Sequence, residues 1–378
     1  MPPKQYRIGL NAQLLSGQKS YRAAGIHRHI LGLIEHLPDA DSRFMYTVFT
    51  GREAPVPKRL KTKRTGLPTH QPFGRILWEQ GVQPTLANQF DLLHALAYVT
   101  PVFTKKPTVV TVHDLSFLRS PERFRFANRT YLKLFTKLSV QRATRIIAVS
   151  ENTKYDVMKV YGLPADKIDV VYSGLDSHFK RAPRQEIEDF RAAHGLPENF
   201  ILHLGTIEPR KNLSTLIRAY AKVRPEGIKL VCAGGRGWMY QDVFQTVEEL
   251  RLTRDVIFPG FIPDDDLPLW YSAADVFVYP SAYEGFGLPV IEALACGAPT
   301  ITTNASSLPE AAGDAALMVP PDDTDALADS LARLLNDPTL RSELVSKGYK
   351  QAERFNWRTA ACDTTQVYVK ALGLEDVA

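Results

Sequence analysis

With 378 residues, 44% of them hydrophobic and 23% charged, the chain is long enough for two packed domains and lacks the bias of disordered, collagen-like or coiled-coil sequences. Its three cysteines, Cys232, Cys296 and Cys362, fit neither a disulfide framework nor a paired-cysteine metal site, which points to a reducing cytoplasm. The formal charge of +5 hides a division: residues 1–180 hold 27 Lys and Arg against 13 Asp and Glu, the remainder 19 against 28, so the first half is the one suited to an anionic partner such as a membrane surface, a phosphate-bearing acceptor or nucleic acid.

Met1–Lys4 runs directly into a strand pattern, Tyr6–Leu10, without an apolar leader core, so export is not expected. Further short β-branched runs follow at Met45–Phe49, Asp91–Ala95, Thr108–Val112, Arg145–Val149 and Ile168–Tyr172. A second series comprises Phe200–Leu204, Lys229–Ala233, Asp255–Phe258, Asp275–Tyr279, Pro299–Thr302 and Ala315–Val319. Helix-length segments separate them, the pattern of parallel strands joined by crossover helices. The expected fold is α/β: two Rossmann-like, doubly wound parallel-sheet domains facing across a cleft, residues 1–178 and 184–355, with the linker in Ser177–Pro183. Residues 356–378, with Trp357 among the apolar positions of an amphipathic helix, are expected to pack back on the first domain. The longest apolar region, Leu288–Ile301, is broken by Glu292 and Pro299 and is too short for a membrane span.

In open α/β sheets ligands bind beyond the carboxyl ends of the strands, so motifs that follow strands are the ones to examine. Ala23 to Arg28 opens a helix, and Gly25 marks a possible anion site at its start. His113 follows the strand Thr108–Val112, where either a functional or a structural histidine can stand. After Phe200–Leu204 comes Gly205-Thr206-Ile207-Glu208-Pro209-Arg210-Lys211-Asn212. Arg210 and Lys211 could put two fixed charges at the sheet mouth or be an ordinary exposed pair, and Asn212 is a candidate N-cap for a helix from Leu213. Gly234 and Gly235 open a glycine-rich turn after Lys229–Ala233 that lacks the full dinucleotide fingerprint. Asp264-Asp265-Asp266 reads as the acidic first turn of a helix more readily than as a divalent-cation site.

The most informative stretch is Tyr279 to Gly297, where a strand ends, a loop carries Glu284, Gly285, Phe286 and Gly287, and Leu288-Pro289 starts a helix that contains Glu292. Unpaired N–H groups at Gly287 and Leu288, backed by the helix dipole, suit a phosphate. The flanking carboxylates repel phosphate and suit hydroxyls, so the combination fits the diphosphate of a nucleotide sugar lying between its ribose and its hexose. The alternative is a dipole-complementing Glu292 and a solvated Glu284. Elsewhere the basic, aromatic stretch Arg119–Arg145, with Phe117, Phe124, Phe126, Tyr131 and Phe135, and the run Lys58–Arg64 are compatible with an anionic membrane surface or a plain solvated face; nucleic acid is the least favoured partner.

These motifs resemble the family-4 (group 1) retaining glycosyltransferases of GT-B architecture, through Phe258–Ile262, Glu284–Glu292 with its glutamates eight apart, and Ser307–Glu310. Gly25-Ile26, His113-Asp114, Val149-Ser150 and Ser173–Asp176 extend the likeness over nearly the whole chain. The resemblance implies a first domain that binds the acceptor and a second that binds the nucleotide sugar. It assigns ribose hydroxyls to Glu292 and the transferred sugar to Glu284 and His113. Lys211 with Arg210 would neutralise the diphosphate, assisted by Gly25 and the amides of Gly287 and Leu288, near Phe286 and Gly235, while the backbone at Ile262 would meet the base. Where many members have Gly-Arg this chain has Gly205-Thr206, and Arg210 is the expected substitute. The Gly-Thr-Ile-Glu-Pro-Arg-Lys-Asn segment is similar to that of bacterial mannosyltransferases, which makes GDP-mannose the expected donor and a lipid-linked or polysaccharide glycan the acceptor, with no metal or cofactor. The alternatives are a nucleotide-sugar epimerase of the same fold and a non-catalytic nucleic-acid or lipid adaptor.

Overall fold

The computed structural model describes residues 4–15, 24–69, 71–119 and 126–375; Phe124 and the segment leading into Gly25 lie outside the described residues. The chain divides into two compact units, Met1–Gly174 with Asn356–Ala378, and Leu175–Phe355.

The first unit contains β1 (Tyr6–Asn11), β2 (Phe44–Thr50), β3 (Lys61–Arg64), β4 (Leu92–Ala95), β5 (Thr108–Val112), β6 (Arg145–Ala148) and β7 (Ile168–Val170). They form one parallel sheet in the order β3-β2-β1-β4-β5-β6-β7. The second unit contains β8 (Asn199–Leu204), β9 (Ile228–Ala233), β10 (Val256–Gly260), β11 (Val276–Tyr279), β12 (Thr300–Thr303) and β13 (Ala316–Val319). Their order is β10-β9-β8-β11-β12-β13, again parallel throughout. Each sheet is doubly wound, and its strand order reverses beside a central strand, at β1/β4 and at β8/β11. Those reversals leave crevices at the carboxyl ends, where open α/β sheets take ligands.

Every strand expected from the β-branched runs forms, because continuous apolar stretches are stable only where helices cover both faces of a parallel sheet. Ile8, Leu10, Val48 and Val109 are fully buried in the first unit, as are Ile201, Leu230, Val276 and Ile301 in the second. β3 is a strand that periodicity does not show. It lies within the basic run Lys58–Arg64, and charge is tolerated there because it is an edge strand, where lysines also discourage further pairing. Part of that run is held within the unit: Arg59 pairs with Asp39 at 2.8 Å, and Arg64 donates to the carbonyl of Ala54 at 3.1 Å.

The helix Trp357–Leu372 belongs to the first unit, after the chain has built the second. Asn356 caps it, its Oδ1 accepting the Thr359 N–H at 2.8 Å. Its Trp357, Ala361 and Tyr368 share one core with Ile30, Leu33 and Ile34 of the helix Ala24–Ala40. The fit depends on Gly32, where a Cβ would stand 2.2 Å from the Trp357 indole. Among the described residues no helix is long and apolar enough to cross a membrane.

Gly32→Ala forces the indole to move and is expected to cost about 1–3 kcal/mol, the range for overpacking a core. The loss should appear as lower thermal and denaturant midpoints; an unchanged midpoint would show that this helix is not tightly seated.

Candidate functional site

In the second unit the loops after β8, β9 and β10 are stitched together by backbone hydrogen bonds. Ile207 N–H donates to Gly235 O at 2.9 Å, Gly237 N–H to Ile207 O at 3.0 Å, and Gly234 N–H to Gly260 O at 2.7 Å. Ile262 is buried just past the end of β10. This lattice fixes the turn Pro209–Lys211, which carries Arg210 and Lys211. Asn212 stands at the N-cap position of the helix Leu213–Val223 but does not cap it. Its backbone is left-handed, at φ 55°, and its Oδ1 accepts from the Thr215 hydroxyl at 2.7 Å.

Arg210 and Lys211 are not an exposed basic pair. Lys211 is buried and the Arg210 side chain is 12% exposed, both against Glu284 from the loop after β11. Lys211 Nζ donates to Glu284 Oε1 at 2.7 Å and to the Tyr279 hydroxyl; that hydroxyl donates on to Oε1 at 3.0 Å. Ser281 Oγ donates to the same oxygen at 2.6 Å. Arg210 pairs with Glu284 Oε2 at 2.6 Å, with Glu208 at 2.9 Å, and with the Tyr283 carbonyl at 2.6 Å. With Nε also on Glu208, four of the five guanidinium N–H bonds are committed. Lys211, by contrast, keeps one of its three N–H bonds without a partner among the described residues.

These contacts set the charge states. Burial resists ionisation of Glu284, but Arg210 and Lys211 together hold its carboxyl well below the usual carboxylate range. Burial, reinforced by the Arg210 guanidinium, lowers the Lys211 ammonium to about 8. Burial also lowers His203, whose ring stacks beside Tyr279 and hydrogen-bonds the Val278 carbonyl, to about 4.

The loop after Glu284 is held from the far side. Glu284 N–H donates to Ser306 Oγ at 2.8 Å, and Ser307 Oγ donates to the carbonyls of Glu284 and Phe286 at 3.0 and 2.9 Å. Phe286 is buried against Phe355, ring centroids 5.2 Å apart. Gly287 takes φ 110°, a conformation open to glycine, and turns the chain into the helix Leu288–Ala295. The N–H groups of Gly287 and Leu288 find no acceptor among the described residues, so the helix start presents donors and the positive end of its dipole. Glu292, 1% exposed, accepts from the Tyr271 hydroxyl at 2.9 Å.

Arg210, Lys211 and Glu284 therefore meet where β8 and β11 lie side by side, Gly235 is bonded to the loop that leads into them, and Glu292 stands one turn into the helix that Gly287 and Leu288 open. Ser281, Ser306, Ser307, Glu208 and Tyr271 also take part, and of these only Ser306 and Tyr271 lie outside the motifs set out above. Asp264–Asp266 form a short 3-10 turn leading into the helix Leu267–Ala273. Among the described residues no three His, Cys, Asp or Glu converge as a metal site requires.

His113 and Gly25 belong to the first unit. Gly25 lies exposed in the first turn of its helix. His113 is buried at the end of β5, where Nε2 donates to the Leu96 carbonyl at 2.9 Å, fixing that nitrogen as the protonated one. Burial lowers its pKa, and the His29 ring meets it edge-on at 4.8 Å.

Family models match both units: Glycosyltransferase Family 4 over residues 23–179 and Glycosyl transferases group 1 over residues 185–351. O-antigen chain mannosyltransferase B of Escherichia coli is 31% identical over 372 residues, covering 92% of this chain and 96% of that protein. The chain is a family-4, group 1 glycosyltransferase. Among solved structures, sucrose-phosphate synthase from Thermosynechococcus elongatus superposes with a TM-score of 0.76 at 23% identity, over 98% of this chain and 100% of that one. Anabaena HepE in complex with UDP and glucose gives 0.75 at 21%, over 96% and 99%. At those identities the likeness shows the fold, which is GT-B.

Glu284→Gln leaves two buried cations of this glycosyltransferase without their shared anion. A loss of about 3–5 kcal/mol is expected, as for other buried pairs broken on one side. Urea unfolding of the variant measures it, and a change below about 1 kcal/mol would show that the cluster tolerates the missing charge.

Proposed function

We propose that this glycosyltransferase moves mannose from GDP-mannose to a lipid-linked or polysaccharide glycan, with retention of anomeric configuration and without a metal. The observation that carries the donor reading is the Lys211 ammonium, held between Glu284 and Tyr279 with one N–H left over; the open amides of Gly287 and Leu288, at the start of the helix that follows the Glu284 loop, add to it. That set is built for an anion such as a diphosphate. The mannosyltransferase relative supports the sugar and the glycan acceptor.

In this reading the diphosphate lies between Lys211 and the helix start. Arg210, its donors taken by Glu208 and Glu284, adds charge and holds Glu284 in place rather than standing in for the family arginine absent at Thr206. Glu292 takes ribose hydroxyls, the backbone near Ile262 meets the base, and Glu284 and His113 face the sugar. Gly25 assists the diphosphate. As the bond from the anomeric carbon to the phosphate oxygen breaks, negative charge grows on the diphosphate and positive charge on the sugar ring. Preorganised cations and amides stabilise the former without reorganising. The acceptor hydroxyl forms the new bond on the same face, and its proton passes to the departing phosphate oxygen.

The basic first unit suits work at the cytoplasmic face of an anionic membrane. Its helix Phe126–Arg142 exposes Leu134 beside Lys133 and Lys137, and Phe73 and Phe103 are 78% and 77% exposed. Apolar side chains among lysines are the composition that settles on anionic lipid.

Two measurements test the donor site. Lys211→Ala should lower turnover about 10²-fold, the scale for losing one preorganised charge donor; wild-type turnover in the folded variant would contradict the assignment. GDP affinity should fall as pH rises above about 8. The bound phosphate raises the ammonium's pKa, so binding takes up a proton between the free and bound values and weakens as pH rises through that window. Calorimetry across pH reads this directly, and a pH-independent affinity would remove Lys211 from the contact.

A further inference from the structure

The proposed reaction asks two things of Lys211, a charge and a direction. A lysine stem is flexible and its ammonium carries rotatable donors, so neither comes from the residue itself. Both trace to Tyr279, the last residue of β11. Tyr279 is 1% exposed, and its ring stacks beside the His203 ring, 16° from parallel, and beside the Phe277 ring, 19° from parallel. Its backbone is held by the neighbouring strand: Thr302 of β12 stands opposite, and the Thr302 hydroxyl donates to the Tyr279 carbonyl at 2.9 Å.

The hydroxyl is thus carried on the sheet, and its bonds run one way. Lys211 can only donate and ionised Glu284 can only accept, so the phenol takes an ammonium N–H and sends its own proton to Glu284 Oε1 at 3.0 Å. Burial pushes the phenol well above its ordinary range and keeps it neutral. Glu284 Oε1 also takes Lys211 and Ser281, which ties that oxygen in place. With two ammonium N–H bonds committed to fixed acceptors, the direction of the third follows from the tetrahedral nitrogen. Packing does not explain the hydroxyl, because Phe277, two residues earlier on the same face of the strand, is buried with a bare ring. A buried hydroxyl costs stability unless it is bonded, and this one is bonded to both charged partners.

We infer that Tyr279 is a positioning residue of the transfer reaction: its hydroxyl, between Lys211 and Glu284, aims the remaining Lys211 N–H bond and keeps the ammonium charged. The inference rests on the donor reading above and adds a residue that acts on the leaving group only through Lys211.

Facing Lys211 are Arg210 and Glu208 from its own turn, Tyr279 and Glu284 from β11 and the loop beyond, and His203 from β8. His203 is neutral, its Nδ1 donating to the Val278 carbonyl and its pKa lowered to about 4 by burial. Glu284 is ionised, so near pH 8 the lysine is the member of this set that changes charge. Removing the hydroxyl takes an acceptor from the ammonium and makes its proton easier to lose.

Calorimetric titration of the full-length protein with GDP across pH is the test. Tyr279→Phe should bind GDP about tenfold more weakly than wild type near pH 8, the scale of one hydrogen bond to a charged group, and its affinity should begin to fall at a lower pH. Ser281→Ala, which takes a donor from Glu284 and leaves Lys211 its acceptors, should begin to fall at the wild-type pH or above it. In a Lys211→Ala background the tyrosine substitution should change GDP affinity by less than about twofold, because the group it acts through is gone. A loss of equal size at every pH, a full loss in the Lys211→Ala background, or a Tyr279→Phe chain that does not fold would each overturn the inference, since the hydroxyl would then be structural. Absence of GDP binding in wild type would strike the donor reading and this inference with it. GDP binding with the same pH dependence in wild type and Tyr279→Phe would leave the donor reading standing and strike the inference alone.

Discussion

A lysine and an arginine, adjacent in sequence and both withdrawn from water, can remain charged only if an anion is withdrawn with them. Glu284 is that anion, and the architecture of the second unit follows from the need to hold it. β8 and β11 are neighbours at the point where the sheet reverses, which brings the turn bearing Arg210 and Lys211 to the loop bearing Glu284. Ser306 and Ser307 clamp that loop from the next strand connection, and Arg210 clamps it from within. The result is a hydrogen-bonded cluster of two cations and two carboxylates, with the Lys211 ammonium lowered toward neutrality but still paired. In the proposed reaction such preorganised donors would stabilise a departing diphosphate without moving, the condition under which electrostatic catalysis is most effective.

Much of this fold was legible because parallel sheets write themselves as repeated apolar runs. The strands at Thr108–Val112 and Val276–Tyr279 are buried on both faces and have no other reason to be so rich in valine. β3 was hidden because Lys61, Lys63 and Arg64 mask a strand as a solvated segment, and the edge position that permits their charge is a tertiary fact. The helix starting at Leu288 was readable from Gly287 and Pro289, since a positive-φ glycine followed by proline has few other uses.

The site divides in the same manner. That Arg210, Lys211 and Glu284 stand in loops that follow strands could be read from the pattern of apolar runs. That Glu284 pairs with both cations could not, because Lys211 and Glu284 are 73 residues apart and their pairing depends on which strands lie side by side. Asn212 shows the limit of local rules: its side chain type favours an N-cap, yet the left-handed backbone required by the preceding turn directs it to Thr215 instead.

The account stands most directly on where a nucleotide binds. A crystal structure with GDP is expected to show the β-phosphate within hydrogen-bond distance of Lys211 Nζ and the Leu288 N–H, with Arg210 still on Glu284. A nucleotide bound elsewhere, with the Lys211–Glu284 pair undisturbed and nothing at the start of the Leu288 helix, would contradict it.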